Sequence, residues 1–112
     1  MIGLDDRIRE REAKKMTRQE IMKDLREIRY YYSRKKGFDE LKNEIESNII
    51  AEKVQRYNDA VKRAPIRIYD VYVELYIRNN TQESLADEWR YSTQTIKRLN
   101  GKLYDYLQAN LR

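Results

Sequence analysis

Two hydroxyl side chains, Thr81 and Ser92, each stand directly ahead of a short run of apolar residues at helical spacing, and this constrains the fold more than any other feature. In that position a Thr or Ser oxygen accepts a hydrogen bond from a backbone N–H that the first helical turn leaves unpaired, so each residue marks a helix start. The first helix carries Leu85, Ala86 and Trp89; after a two-residue turn the second, from Ser92, carries Ile96 and Leu99. Two short helices share a core by crossing at a steep angle. Ala86 is the small side chain that a close crossing needs, and Trp89, Tyr91, Ile96 and Leu99 fill the angle. Residues 81–99 therefore read as a helix-turn-helix. Arg90 stands where such turns commonly carry glycine. A left-handed conformation costs a non-glycine residue ~1–2 kcal/mol, so a turn of another type is expected there.

The outward face of the second helix is more telling than the buried one. With about 100° of rotation per residue, Ile96, Leu99, Leu103 and Leu107 form one stripe, and Gln94, Lys97, Arg98 and Gly101 lie opposite. From Arg90 to Lys102 the cations are Arg90, Lys97, Arg98 and Lys102 with no anion among them, whereas Glu83, Asp87 and Glu88 all belong to the first helix. A helix that is basic only away from its core suits the major groove of double-stranded DNA. There Gln pairs with adenine, Arg with guanine, and hydroxyls or Lys reach bases and phosphates. Gly101 costs about 0.5–1 kcal/mol relative to Ala inside a helix, a loss consistent with close approach to a sugar-phosphate backbone. The candidate DNA-facing residues are Ser92, Thr93, Gln94, Lys97, Arg98 and Gly101, with Lys102 contributing affinity for any sequence. The competing reading is an ordinary helical bundle with a solvated Lys-Arg face.

Composition narrows the remaining classes. At 112 residues the chain is one domain, or a small domain with an appended helical element. Charged residues make up 38% and mean hydropathy is −1.01, so the core is thin and built from helix stripes. The net charge of +5 and isoelectric point near 9.4 suit a polyanionic partner without identifying one. Cysteine and histidine are both absent, which removes disulfides, thiolate or imidazole metal sites and the usual nucleophile–base pairs. The carboxylate pairs Asp39-Glu40 and Asp87-Glu88 have cations nearby and read as solvated helix surface. No glycine-rich phosphate loop can be drawn from Gly3, Gly37 and Gly101. The chain is expected to be no enzyme and to need no metal or cofactor. No apolar run reaches the length of a membrane span or a signal peptide, so a cytoplasmic location is expected.

The N-terminal half reads as a helical hairpin over residues 17–63, preceded by a charged arm, 1–16, that is frayed or disordered. Thr17 and Glu20 form a capping box ahead of the stripe Ile21, Leu25, Ile28 and Tyr32, which stops at Lys35-Lys36-Gly37. A second helix starts near Phe38. Its early stripe, Phe38, Leu41, Ile45 and Ile49, is offset by about 140° from its later one, Ile50, Val54, Tyr57 and Val61. The first half is expected to pack on the Thr17 helix, and the second half to meet either the C-terminal segment or another subunit. A break at Ser47-Asn48 would also explain the offset. Of Tyr30, Tyr31 and Tyr32, at least one must be exposed or at an interface, because three consecutive helical residues cannot share a face. Either base stacking or a subunit interface accounts for them, the interface being favoured. Tyr31, Ile50, Val54, Tyr57 and Val61 are therefore candidate interface residues of a homo-oligomer, most simply a dimer.

Ala64-Pro65 marks the boundary to the segment 64–112, with Pro suited to the first position of a new helix. Residues 66–77 are rich in β-branched side chains, yet Ile68, Tyr72, Leu75 and Tyr76 keep helical spacing and Asn79-Asn80 supply a stop. The helix reading is preferred, because a helix-turn-helix needs a third helix over its apolar side. The fold class is all-α: an N-terminal helical hairpin, then a C-terminal three-helix helix-turn-helix domain.

The order YIRNNTQESLADEWRYSTQTIKRLNGKL resembles the C-terminal motif of small phage transcription regulators of the ArpU and RinA type, whose DNA-binding part is similar to region 4 of sigma factors. The resemblance covers residues 66–107 and is architectural over the first 63. It implies activation of phage late or packaging genes in the bacterial host's cytoplasm. It places Ser92, Thr93, Gln94, Lys97 and Arg98 against DNA and Gln82 near a phosphate, with RNA polymerase a further candidate partner. Two alternatives stay open: a small-terminase-like subunit that recognises DNA for packaging, and a helical protein-interaction module without DNA binding.

Overall fold

The computed structural model of the chain describes residues 16–34 and 44–111, and among them every regular element is helical. The expected arm therefore lies outside the described residues except for Met16, as do the Lys35-Lys36-Gly37 stop, Phe38 and Leu41.

Helix α1, Arg18–Ser33, starts as its sequence dictates. The Glu20 N–H donates to Thr17 Oγ1 (3.1 Å) and the Thr17 N–H donates back to Glu20 Oε1 (2.8 Å), closing the capping box. Ile21, Leu25 and Ile28 are fully buried and Tyr32 is half-buried, as the stripe requires.

Helix α2, Glu44–Val61, runs unbroken through Ser47-Asn48. Its later stripe is not left for a second subunit. Val54, Tyr57 and Val61 are 5%, 0% and 1% exposed within the single chain, and Ile50 packs against the same core. Tyr31 likewise packs on this core, edge-on to Tyr32 with ring centres 5.2 Å apart. The second half of α2 meets the C-terminal segment, as expected, through Asn58 and Ala60, but it also packs on α1 in place of the first half, whose Ile49 is 60% exposed. The cause is polar as well as apolar. Lys53 Nζ reaches Asp24 (2.9 Å) and Glu27 (2.6 Å), and the Tyr57 hydroxyl donates to the buried Asp24 carboxylate (2.7 Å). A buried carboxylate needs such partners, so this cluster fixes which stretch of α2 faces α1.

Helix α3, Ile66–Tyr72, settles the ambiguity of 66–77 against a strand and continues into one π-helical turn, Val73–Ile77. Pro65 stands one position ahead of α3, its carbonyl accepting from the N–H groups of Ile68 and Tyr69. The wider turn closes with the Arg78 N–H on the Val73 carbonyl (2.8 Å), and Asn79 follows with φ 60°, a left-handed stop that Asn tolerates.

Helix α4, Gln82–Trp89, and helix α5, Thr93–Asn110, begin at the expected caps: Ser84 N–H donates to Thr81 Oγ1 (3.0 Å) and Thr95 N–H to Ser92 Oγ (3.1 Å). Leu85 and Ala86 are buried between them and Ile96, and α5 buries Leu103 and Leu107 further along. The α4 exit corrects the sequence expectation. Arg90 adopts φ 60°, ψ 41°, and the bonds Tyr91 N–H to Ala86 O (2.9 Å) and Arg90 N–H to Asp87 O (3.2 Å) close the turn usually made with glycine.

One core joins the five helices of the described residues, from Ile21 to Leu111. Pro65 is thus a helix boundary inside a shared core, with α1 packed on both the π-helical turn and α5. Hydrogen bonds knit the segments: Tyr72 to Asn58 (2.6 Å), Asn58 to Tyr32 (3.1 Å), and Tyr106 to the Ala60 carbonyl (2.8 Å). No described helix is long and apolar enough to cross a membrane.

Candidate nucleic-acid interface

The candidate surface is built on the first turns of α5, whose direction is set by its buried side. Ile96, Leu103 and Leu107 are fully buried, and Asn100, on the same stripe, is 6% exposed. Asn100 Oδ1 accepts from the Tyr76 hydroxyl (2.7 Å) and its Nδ2 donates to the Tyr104 hydroxyl (3.0 Å), tying α5 to the π-helical turn. Burial, with Tyr104 close by, pushes the Tyr76 hydroxyl well above its ordinary pKa, so it stays a neutral donor.

With that face fixed inward, Ser92, Thr93, Gln94, Lys97, Arg98 and Lys102 are all exposed, as is Arg90 in the turn. None of Arg90, Lys97, Arg98 and Lys102 is ion-paired among the described residues. The helix start adds to this field, because its unpaired N–H groups point outward beside Thr93 and Gln94. Gln82 is half-buried in the first turn of α4, behind the exposed Thr81.

Gly101 differs from its expected role. It is half-buried, and a Cβ there would meet Arg18 Nη2 at 3.5 Å, so α1 of the same chain covers it. Arg18 bonds Asp105 (2.7 Å) and lies 4.9 Å from the Tyr104 ring centre. The open part of α5's outward face is therefore its first two turns together with Lys102. Sequence reading missed Arg18, which carries no local signal because its partners are far away in the chain. It also missed Asn100, whose helical spacing from Ile96 and Leu103 placed it on the buried stripe all along.

Beside the α4–α5 turn, Arg67 lies over the rings of Trp89 (4.6 Å) and Tyr91 (5.6 Å), which meet edge-on. Arg67 and Trp89, with Tyr69, Val73 and Glu74, line a shallow groove, and Ile66, next to Arg67 in the chain, is 77% exposed. Among the described residues no group of acidic side chains is placed to hold a metal, and every buried side-chain nitrogen or oxygen has a partner. Compared with protein-family models, curated proteins and solved structures, the chain matches none.

Proposed function

We propose that the chain is a sequence-specific DNA-binding transcription regulator, with α3, α4 and α5 as a helix-turn-helix domain and α5 as the helix that enters the major groove. One observation carries this reading: Gln94, Lys97 and Arg98 are exposed, free of anions and opposed to the buried Ile96, Asn100 and Leu103. That arrangement puts base-reading and phosphate-contacting groups on one rigid face. The resemblance of residues 66–107 to phage late-gene regulators extends the proposal to that setting, in the cytoplasm of a bacterial host.

Selection of bound sequences from random duplexes, followed by anisotropy on the recovered consensus, tests it. Arg98→Ala is expected to lose about 1–3 kcal/mol of preference for the consensus over a scrambled duplex. Lys102→Ala is expected to weaken both duplexes alike and to lower the salt slope by about 1. Unchanged binding in both variants excludes α5 as the reading helix. A palindromic consensus would call for a dimer, and since Val54, Tyr57 and Val61 are buried within one chain, its contact would lie elsewhere.

A second reading, a protein-interaction surface, is favoured by the groove of Arg67, Tyr69 and Trp89 beside the exposed Tyr91, since Trp, Tyr and Arg dominate binding hot spots. RNA polymerase is the partner that a regulator would offer it. Absence of any salt-dependent affinity for DNA would make this the better reading.

A further inference from the structure

Gln94, Arg98, Gly101 and Asp105 fall on one line along the outward face of α5, since at about 100° per residue they stay within about 60° of one another around the axis. Gln94 and Arg98 are exposed, and Gly101 contributes no side chain. A guanidinium from another helix occupies the space above it. Arg18 reaches over from the first turn of α1, its Nη1 donating to Asp105 Oδ1 (2.7 Å) and its Nη2 3.5 Å from where a Cβ of residue 101 would stand. Arg18 thus continues, one turn further on, the cationic line that Arg98 begins.

The ion pair does not use up the arginine. The side chains of Arg18 and Asp105 are 44% and 70% exposed, and a pair so open to water contributes little to stability. Asp105 is the hydrogen-bond partner of Arg18 among the described residues, and a guanidinium carries five N–H donors in a planar fork, so most of them remain to be used. What the pair does provide is position. Asp105 on one side and the Tyr104 ring, 4.9 Å away at its centre, hold the fork over α5, so little side-chain freedom is left to lose on binding.

We propose that Arg18 binds a phosphate of the duplex that α5 reads, at the far end of the face that starts with Gln94. This rests on α5 being a DNA-binding helix. Residue 101 lies about 4.5 Å along the axis from Arg98, close to the ~3.4 Å between successive charges of one strand, so the two guanidiniums meet neighbouring nucleotides. The contact is a phosphate and not a base edge, because α1 packs against α5 here and keeps this end of the helix from sinking to the groove floor. Asp105 acts through Arg18: it orients the fork, while its own charge opposes the phosphate.

The test is anisotropy of the full chain on its selected duplex and on a scrambled one, across a salt series, with R18Q and D105N. Both positions are exposed, so circular dichroism is expected to match the parent chain in each variant. The two variants break the same ion pair, so a merely structural pair loses equally from either side, whereas a phosphate contact is lost only with Arg18. R18Q is expected to lower the salt slope by about 1 and the affinity on the order of 5- to 10-fold at 0.1 M salt, equally for both duplexes. D105N is expected not to weaken binding, because it removes an anion beside the phosphate. A slope unchanged by R18Q, or a loss in D105N equal to that in R18Q, overturns the Arg18 contact while leaving the α5 reading intact. If the parent chain binds no duplex, the α5 reading fails and the Arg18 contact fails with it.

Discussion

At the scale of single residues, Arg90 is the position where sequence and conformation disagree most. It holds φ 60°, ψ 41° in a turn whose two closing hydrogen bonds use only backbone atoms, so nothing in the turn needs an arginine side chain. A Cβ in the left-handed region costs ~1–2 kcal/mol, which glycine avoids at the expense of a larger unfolded-state entropy. Arg90→Gly is therefore expected to stabilise the fold by about 0.5–1 kcal/mol and raise Tm by a few degrees in a thermal melt followed by circular dichroism. A lower Tm would mean that the turn depends on the arginine side chain. Retention of Arg against this strain fits a charge useful beside the start of α5. The caps Thr17, Thr81 and Ser92 were legible because a cap needs only three or four consecutive residues. Arg18 on Asp105 was not, since the two lie 87 positions apart.

At the scale of elements, helical spacing located the buried faces of α1 and α5, because a stripe depends only on period. What it could not locate was the neighbour. The two offset stripes of α2 implied two partners, and only the buried Asp24, with Lys53 and Tyr57 upon it, explains why the second stripe meets α1. The π-helical turn at Val73–Ile77 was also beyond periodicity, which assumes one unbroken register. Gly101 belongs here too, since its meaning changed with its neighbour: the space over it holds Arg18 at ordinary contact distance. Gly101→Ala is accordingly expected to stabilise α5 by about 0.5–1 kcal/mol, readable in chemical denaturation, and to leave DNA affinity unchanged. A selective loss of affinity in a stable Gly101→Ala variant would restore the view that this residue approaches a backbone.

At the scale of the whole molecule, the helices are held by tyrosines that bridge segments far apart in sequence, and this makes the fold sensitive to alkali. Tyr57, Tyr72 and Tyr76 are 0%, 0% and 7% exposed, and the hydroxyls of the first two bond Asp24 and Asn58 across helix boundaries. Burial raises all three above the ordinary tyrosine pKa; the Asp24 carboxylate adds to it at Tyr57, neighbouring Tyr32 and Tyr69 at Tyr72, and Tyr104 at Tyr76. Lys53 moves the same way, because its bonds and attraction to Glu27 and Asp24 together outweigh the burial that opposes its charge. For a group whose folded pKa is raised, the folded state keeps the proton that the unfolded chain loses. The associated stability is complete below the unfolded pKa and drains away as pH climbs beyond it. The three tyrosines begin to draw on stability above pH ~10, each by up to about 1.4 kcal/mol per pH unit. Unfolding is thus expected to be cooperative in alkali, well before these hydroxyls would ionise in the folded chain. Absorbance near 295 nm is expected to show a steep rise that coincides with loss of the helical signal at 222 nm. If all ten tyrosines ionised smoothly with the helical signal intact, the core would not be held by neutral Tyr57, Tyr72 and Tyr76. Tyr57→Phe separates the contributions: it removes one ionisable hydroxyl and the Asp24 bond together, so it should soften the alkaline transition while lowering stability at neutral pH by about 1–3 kcal/mol.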